Sequence, residues 1–434
     1  MDLTRKRKKD LGLAELIAIG LGGMVGGGIF SILGISVAHI GHATPLAITA
    51  GGILAFFAAY SYVKLALLYK DEGATYSFFR KSFPNSAFSA SVIGWLVVFG
   101  YISTLALYAF TFSSYLCSIL PVDGNGWAGK AVAGGVIGLF AMINLVSVKG
   151  MGKAEDLLVY SKLIILIFIS GILAGRGQVS NLQPLIEPGT HIGSILVMAS
   201  ITFVAYEGFQ LIIHAYNEMD EPQRNIPRAI YSAIAIATLL YVGIALGALA
   251  TIPKEVIIRD QEYALASGAS AVLGKFGLFA VILGALLATS SAISGTLFGA
   301  SRLMAVIAND GYFPSVLKKR SKGTIPAPAI VTMSVLSFVL MLSGGLETIL
   351  EFGSITFILV SFLMAVANFK MRRQTHAQPW MAVAAMAGLL GAAILIVRYE
   401  FDEQPGQMLR ILMLYGILAL LAWLYARWKK RSEI

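Results

Sequence analysis

Apolar residues fill most of this chain in long stretches, and polar residues gather in the short segments between them. A helix needs about 20 apolar residues to cross the hydrocarbon core of a bilayer. Twelve such stretches occur, with approximate limits at 11–38, 45–69, 87–118, 129–148, 154–174, 190–215, 229–252, 273–308, 325–343, 347–369, 380–398 and 408–427. The pattern therefore predicts an all-α integral membrane protein with twelve transmembrane helices.

Composition supports the same class along the whole chain. Of the 434 residues, 57% are hydrophobic and 13% are charged, and the mean hydropathy is +0.78. No polar segment is long enough to form a soluble domain. We expect four parts: a basic cytoplasmic N-terminus at 1–10, a membrane core at 11–369, two additional transmembrane helices at 380–427 and a cytoplasmic tail at 428–434.

The net charge of +10 is distributed unevenly between the loops. Lysine and arginine precede the first apolar stretch and follow the second, fourth, sixth, eighth, tenth and twelfth, whereas the alternate loops hold few. This is the bias that keeps basic loops on the cytoplasmic side of a membrane. It predicts a multi-pass protein of the cell membrane with both termini in the cytoplasm. The basic balance thus fits a lipid bilayer and does not indicate a nucleic-acid partner.

The first apolar stretch contains six glycines in nine residues, Gly20 to Gly28. Each glycine costs a helix about 1 kcal/mol relative to alanine, so the run predicts an unwound segment. Broken backbone inside a membrane is tolerated where it is buried in protein or lines a cavity. The N–H groups of Gly26, Gly27 and Gly28 would then be available to a carboxylate at the start of a second half-helix. Close helix packing through small residues is the alternative.

A second break is expected five spans later, because many transporters consist of two inverted halves with broken helices at matching places. The sixth stretch has Gly208 next to Glu207, an ionisable residue inside an otherwise apolar run. This offset predicts two inverted five-helix repeats at about 11–174 and 190–369, with the last two helices outside them. Glu207 faces a substrate cavity, takes part in proton transfer, or is a structural carboxyl group.

Lys162 lies about eight residues into the fifth stretch, which places it roughly 12 Å deep in a helix. A lysine near a helix end can extend its amine to the interface, but a deeper one is costly. Such a buried amine tends to lose its proton when it is unpaired. The residue is therefore a candidate proton carrier, and the alternative is a structural lysine that donates to backbone carbonyls.

Four segments resemble the amino acid–polyamine–organocation (APC) superfamily of transporters. They match its first helix, the loop before helix 3, helix 6 with the loop that follows, and helix 8, although a usual proline and one glycine are missing from the second match. The segments are GGMVGGGIF at 22–30, DEGATYSFF at 71–79, FVAYEGF at 203–209 with NEMDEPQRNIPRAI at 217–230, and TSSAISGTLFGASRLMAVIANDGYFP at 289–314. The resemblance implies a LeuT-type fold of two inverted five-helix repeats and transport of amino acids.

Within the superfamily, the chain is most similar to an archaeal proton-coupled amino-acid transporter. This likeness implies that Gly26, Gly27 and Gly28 hold the substrate carboxylate, and that carbonyls near Gly22 and Gly23 receive its ammonium group. The position of Phe203 matches an aromatic residue that closes over the substrate, but a phenylalanine there can also simply face lipid. Glu207 departs from the family pattern, which has an apolar residue at that place.

The resemblance also assigns the coupling ion. Lys162 matches a lysine that stands where sodium binds in sodium-coupled relatives, with Gly22, Ser290 and Ser291 as its expected neighbours. Those two hydroxyls can equally bond back to their own helix. Sodium coupling is therefore disfavoured, and the proton gradient is the expected driving force.

The sequence contains no pattern typical of an enzyme. Cys117 is the single cysteine, which excludes a disulfide framework or a cysteine metal site, and the glycine run lacks the lysine of a phosphate-binding loop. We expect no cofactor, no metal and no obligate partner. The expected function is import of amino acids by proton symport. We expect neutral amino acids as substrates and a broad specificity. The alternatives are an exchanger of amino acids or amines, and a membrane sensor that binds amino acids without transport.

Overall fold

A computed structural model describes residues 11–120, 126–146, 151–321 and 325–432. In these ranges the regular structure is helical, and strand pairing is limited to two isolated bridges, Leu11–Met219 and Ser321–Ile325. The predicted cytoplasmic segment 1–10 and the tail residues 433–434 lie outside the described residues. The prediction of an all-α fold is thus confirmed for the part of the chain that the structure describes.

The described helices follow the apolar stretches in order. The first seven are α1 (Leu13–Met24), α2 (Gly28–Ile40), α3 (Thr44–Tyr69), α4 (Ala74–Ser82), α5 (Ala87–Cys117), α6 (Trp127–Val146) and α7 (Met151–Arg176). The remaining ten are α8 (Ile192–Thr202), α9 (Leu211–His214), α10 (Pro222–Thr251), α11 (Lys254–Asp260), α12 (Ala264–Asn309), α13 (Ala327–Ser343), α14 (Leu346–Lys370), α15 (Arg372–Thr375), α16 (Pro379–Glu403) and α17 (Pro405–Ser432).

Every predicted span corresponds to one helix or to one broken helix. The first span is α1 followed by α2, and the sixth is α8 followed by α9. Ten helical segments of the described chain are long and apolar enough to cross a membrane, and two further apolar helices, Leu13–Met24 and Ala327–Ser343, are shorter. Length and hydropathy do not locate the bilayer, so the count of twelve spans stays a prediction.

Local chemistry explains several of the helix ends. The Ser86 hydroxyl accepts a hydrogen bond from the Ser89 backbone N–H, which caps the first turn of α5. Proline occupies the first turn of α3, α10 and α16, where a missing N–H removes no helical bond. Within α12 the backbone leaves helical geometry at Gly274, whose φ is 62°. That kink separates a short leading segment, which the hydropathy pattern did not predict, from the long span.

The core of the molecule is built around α5, which packs against α6, α12, α13, α14 and α17. In its most apolar window 83% of the residues are buried, against 22% in that of α17. Helix α5 is therefore central and α17 is peripheral, with most of its surface left for lipid. The broken helix α1–α2 contacts α5, α7, α10 and α12, so the glycine-rich segment lies inside the bundle.

Candidate functional site

The first break is shorter than the glycine run that predicted it. Helix α1 continues through Gly20, Gly22 and Gly23, and the non-helical backbone is confined to 25–27. Packing holds the earlier glycines in helical geometry, because a side chain at Gly23 would come within 2.6 Å of Leu211. The glycines of this run therefore serve two purposes: they allow neighbouring residues to pack closely against the helix, and they allow the helix to unwind.

Helix α2 begins at Gly28, with Gly27 as the residue before it. The N–H of Gly26 donates to the carbonyl of Met24 at 2.9 Å, so that donor is already used. The N–H groups of Gly27 and Gly28 have no protein acceptor within the described ranges. Because the first N–H groups of a helix carry its positive end, these two are available donors at a position of positive potential.

The carbonyls at the end of α1 all accept side-chain donors. The Tyr108 hydroxyl donates to the carbonyl of Gly23 at 3.1 Å. The Tyr241 hydroxyl lies 2.7 Å from the carbonyl of Met24 and 3.1 Å from that of Ala205, so it connects the first broken helix to the sixth. A tyrosine has one hydroxyl proton, which these two carbonyls therefore share.

Lys162 is fully buried and extends from α7 to the same break. Its amine donates to the carbonyl of Gly22 at 3.0 Å, to that of Val25 at 2.6 Å and to Ser291 Oγ at 2.7 Å. Ser290 is half-buried. The structure thus brings Lys162 together with two of its expected neighbours, Gly22 and Ser291, and with Val25, which was not predicted.

The hydroxyl of Ser291 fixes the direction of its bond to Lys162. Its own proton is directed to the carbonyl of Ala288 at 3.2 Å. The oxygen therefore accepts from the amine, and all three acceptors around Lys162 receive a proton from it. An ammonium group has three donors, so this geometry fits the protonated lysine.

The second break lies where the repeat predicted it. Helix α8 passes into a 3₁₀ helix at Phe203–Tyr206, and a turn leads to α9. Gly208 has a φ of 130°, and a Cβ there would lie 2.5 Å from the carbonyl carbon of Gly23. The backbones of the two breaks are therefore in direct contact. Phe203 is completely buried at the start of the 3₁₀ helix and does not face lipid.

Glu207 is buried within the second break. Its Oε2 accepts a hydrogen bond from Gln210 Nε2 at 2.5 Å, and the same amide lies 3.3 Å from the Tyr101 hydroxyl. The N–H of Gly208 donates to Gln210 Oε1 at 3.1 Å, which fixes the amide's orientation. Glu207 Oε1 has no donor among the described residues.

Side chains pack closely over the first break. A Cβ at Gly26 would lie 2.7 Å from Tyr108 Cε1, and one at Gly27 would lie 2.7 Å from Thr111 Oγ1. Both glycines are buried. Side chains of α5 therefore fill the space beside both glycines in this structure.

Two helices that break inside the bundle, cross through their glycines and present half-helix ends define a membrane transporter with discontinuous helices. The family model described as amino acid permease matches residues 11–423, and the chain belongs to that family. It is accordingly a multi-pass membrane transporter and not an enzyme. The narrower resemblance to an archaeal proton-coupled member stays a prediction.

Individual relatives match over most of their length. A protein of Methanocaldococcus jannaschii is 27% identical over 95% of this chain and 93% of its own. The inner membrane transport protein YbaT of Escherichia coli is 31% identical over 88% of each chain. The branched-chain amino acid permease BcaP of Bacillus subtilis is 25% identical over 84% of this chain and 82% of its own.

Proposed function

We propose that this protein imports amino acids together with protons by alternating access across the cell membrane, with both termini in the cytoplasm. The relative that is named as a branched-chain amino acid permease supports a neutral amino acid as cargo. The proton gradient would be the driving force. The proposal includes no cofactor, no sodium ion and no obligate partner.

The substrate carboxylate would bind the N–H groups of Gly27 and Gly28. Their lack of a protein acceptor in the described chain and their place at the start of α2 support this assignment. The ammonium group would use the second lone pairs of the carbonyls near Gly22 and Gly23, since a carbonyl can accept two hydrogen bonds. Tyr108 lies between these two positions and would have to shift when a substrate binds.

Glu207 and Phe203 would contribute to selectivity and closure. The unpaired oxygen of Glu207 can be satisfied by its own proton or by an amino group of the substrate. An acidic substrate would be repelled by the ionised form. Phe203 begins the 3₁₀ segment beside Glu207 and would close over the bound amino acid.

The observation on which this proposal depends is the threefold hydrogen bonding of Lys162. Its ammonium group connects α7 to the end of α1, through Gly22 and Val25, and to α12 through Ser291. Loss of one proton leaves two donors for three acceptors, which weakens the connection between α1 and α12. Protonation would thus stabilise one arrangement of the bundle over the other, which is the requirement for coupling.

Lys162→Met tests this role. In proteoliposomes with an imposed pH gradient, we expect the variant to lose accumulation of labelled amino acid by about 10-fold or more, because a hydrogen bond from a charged group contributes about 1.5–3 kcal/mol. Substrate counterflow without a gradient should continue. Lys64→Met is the matched control, since Lys64 lies at a solvent-accessible position on α3 and contacts only the carbonyl of His376 among the described hydrogen bonds.

Undiminished gradient-driven accumulation by Lys162→Met would contradict the coupling role. If the wild-type protein requires internal substrate and ignores the pH gradient, it is an exchanger. Binding without uptake in either assay would identify a sensor.

A further inference from the structure

Two buried carboxyl groups meet at a place remote from the glycine breaks. Glu351 on α14 is 3% exposed and Glu400 on α16 is 0% exposed. Each lies within about two turns of the helix end on the side predicted to face outward. The two carboxyl groups lie close together, because one side-chain amide approaches both of them. Buried acidic pairs are costly, so this contact needs a chemical reason.

The amide of Gln407, near the start of α17, joins both carboxyl groups. Its Nε2 donates to Glu351 Oε2 and lies 3.4 Å from Glu400 Oε2. The Thr348 hydroxyl donates to Gln407 Oε1 at 2.9 Å, which fixes the amide's direction. Glu400 Oε1 has no donor among the described residues, although it is fully buried. One donor is therefore missing from an otherwise well-defined cluster.

A proton supplies that missing donor. Ionised carboxylates are acceptors only, so two of them can hydrogen-bond to each other only if one carries a proton. Like charges in contact would otherwise repel strongly in this buried place. Within the described residues, no group of three or more acidic, histidine or cysteine side chains is arranged to hold a metal ion. The geometry thus favours a proton over a metal cation.

Three titratable groups face the pair: Glu347 on α14, Tyr399 on α16 and His39 on α2. Of these, Glu347 adds negative charge. Gln404 donates to Glu347 at 3.1 Å, and His39 is exposed, with its Nδ1 on the carbonyl of Ile35. These surroundings disfavour a second negative charge on the pair, because Glu347 is acidic and His39 is screened by solvent.

We propose that Glu351 and Glu400 form a proton-binding site, separate from Lys162, whose shared proton holds α14 against α16 and α17. Ser354 lies one helical turn beyond Glu351, and its hydroxyl donates to the carbonyl of Ile201 at 2.6 Å, near the end of α8. A proton bound at the outward end of α14 therefore stabilises the element that contacts the break in the sixth span. Loss of that proton loosens this contact.

Thermal unfolding of the purified full chain tests the site without any transport assay. A thiol-reactive dye reports unfolding, since Cys117 is the single cysteine and is buried. Between about pH 6 and pH 9, we expect the wild-type midpoint to fall by about 5 °C or more, because two buried charges come into contact. Glu400→Gln and Glu351→Gln remove one charge and should lose most of this pH dependence. Glu255→Gln, at an exposed position on α11, is the matched control and should keep it.

A second measurement on the wild-type protein does not depend on any variant folding. In the wild-type protein, the infrared band of protonated carboxyl groups should decrease over the same pH range. Equal pH dependence in the wild-type protein and both glutamine variants would overturn the proposal. So would restoration of the alkaline midpoint by sodium or calcium ions in the wild type alone, since the ligand would then be a metal ion.

Discussion

Gly208 has the most restricted position of any residue at the two breaks. Its φ of 130° is a conformation that side chains disfavour, and an added Cβ would overlap the backbone of Gly23 and Met24. Gly208→Ala should therefore destabilise the protein by at least about 2 kcal/mol and abolish uptake. Thermal unfolding followed through Cys117 and substrate uptake measure the two effects.

Gly243→Ala provides the comparison for this substitution. Gly243 lies within α10, and a Cβ there meets no atom within 4 Å. Alanine is the better helix former, so this variant should be as stable as the wild type or slightly more stable. An active, equally stable Gly208→Ala protein would show that the two backbones do not need their present contact.

The sequence predicts the roles of some residues and not those of others. Lys162 could be found because a charge deep in an apolar stretch is unusual. Tyr241 could not, since the chain has 17 tyrosines and the acceptor of this hydroxyl lies 217 residues away in sequence. Ser290 and Ser291 were both expected near Lys162 from the family resemblance, and the structure shows the hydrogen bond to Ser291.

At the scale of the elements, one hydroxyl holds two broken helices together. Tyr241 on α10 reaches both Met24 and Ala205. Tyr241→Phe keeps the ring but leaves these two buried carbonyls with one donor fewer, at a cost of about 1–3 kcal/mol. We expect a lower unfolding midpoint and slower uptake, measured on the same reconstituted preparation.

Tyr231→Phe is the control on the same helix. Its ring lies against Phe56 with centroids 4.5 Å apart, a contact that phenylalanine retains. If Tyr231→Phe lowers the midpoint as much as Tyr241→Phe, the bridge between the breaks contributes nothing specific.

The limits and breaks of some helices were easier to predict from the sequence than those of others. The span of α5 agrees with the predicted stretch within one residue, because a long apolar run with a serine cap has clear ends. The short helix α4 was missed because it is shorter than a membrane span and much less apolar than its neighbours. The kink at Gly274 was missed because one glycine does not interrupt an apolar pattern. The break in the first span was predicted too long, because helix packing through small residues and unwinding give the same glycine signal.

At the scale of the molecule, an ion cluster connects distant segments on the side predicted to face outward. Lys254 Nζ lies 2.6 Å from Glu187 Oε2, and the His42 N–H donates to Glu187 Oε1 at 3.3 Å. The hydrogen bond from Lys254 lowers the pKa of Glu187. The cluster joins the loop before α8, the start of α3 and the start of α11.

The pH dependence of this cluster follows from the sign of that shift. A carboxyl group with a lowered pKa stabilises the folded state above its unfolded pKa of about 4.3, and this contribution is lost as the pH falls through the folded value. Glu187→Gln should therefore lower the unfolding midpoint at neutral pH by about 1–3 °C, since partly exposed pairs contribute at most about 1 kcal/mol. Its midpoint should then change less than that of the wild type between about pH 5 and pH 3.

Glu255→Gln is the comparison for the cluster, because Glu255 is exposed on α11 next to Lys254. It should behave like the wild type over the acidic range. If the unfolding midpoints of the wild type and Glu187→Gln change identically over the acidic range, the ion cluster does not stabilise the outward side.

The crossing of Gly23 and Gly208 has a mechanical consequence for the whole transporter. Where backbone touches backbone, no flexible side chain can yield, so relative rotation of the two broken helices has a fixed fulcrum. Points near a fulcrum move least, and the ends of the helices move farthest. The N–H groups of Gly27 and Gly28 lie a few residues from it. At the proposed site, a bound carboxylate would therefore keep its hydrogen bonds while the helix ends swing open on one side and then on the other.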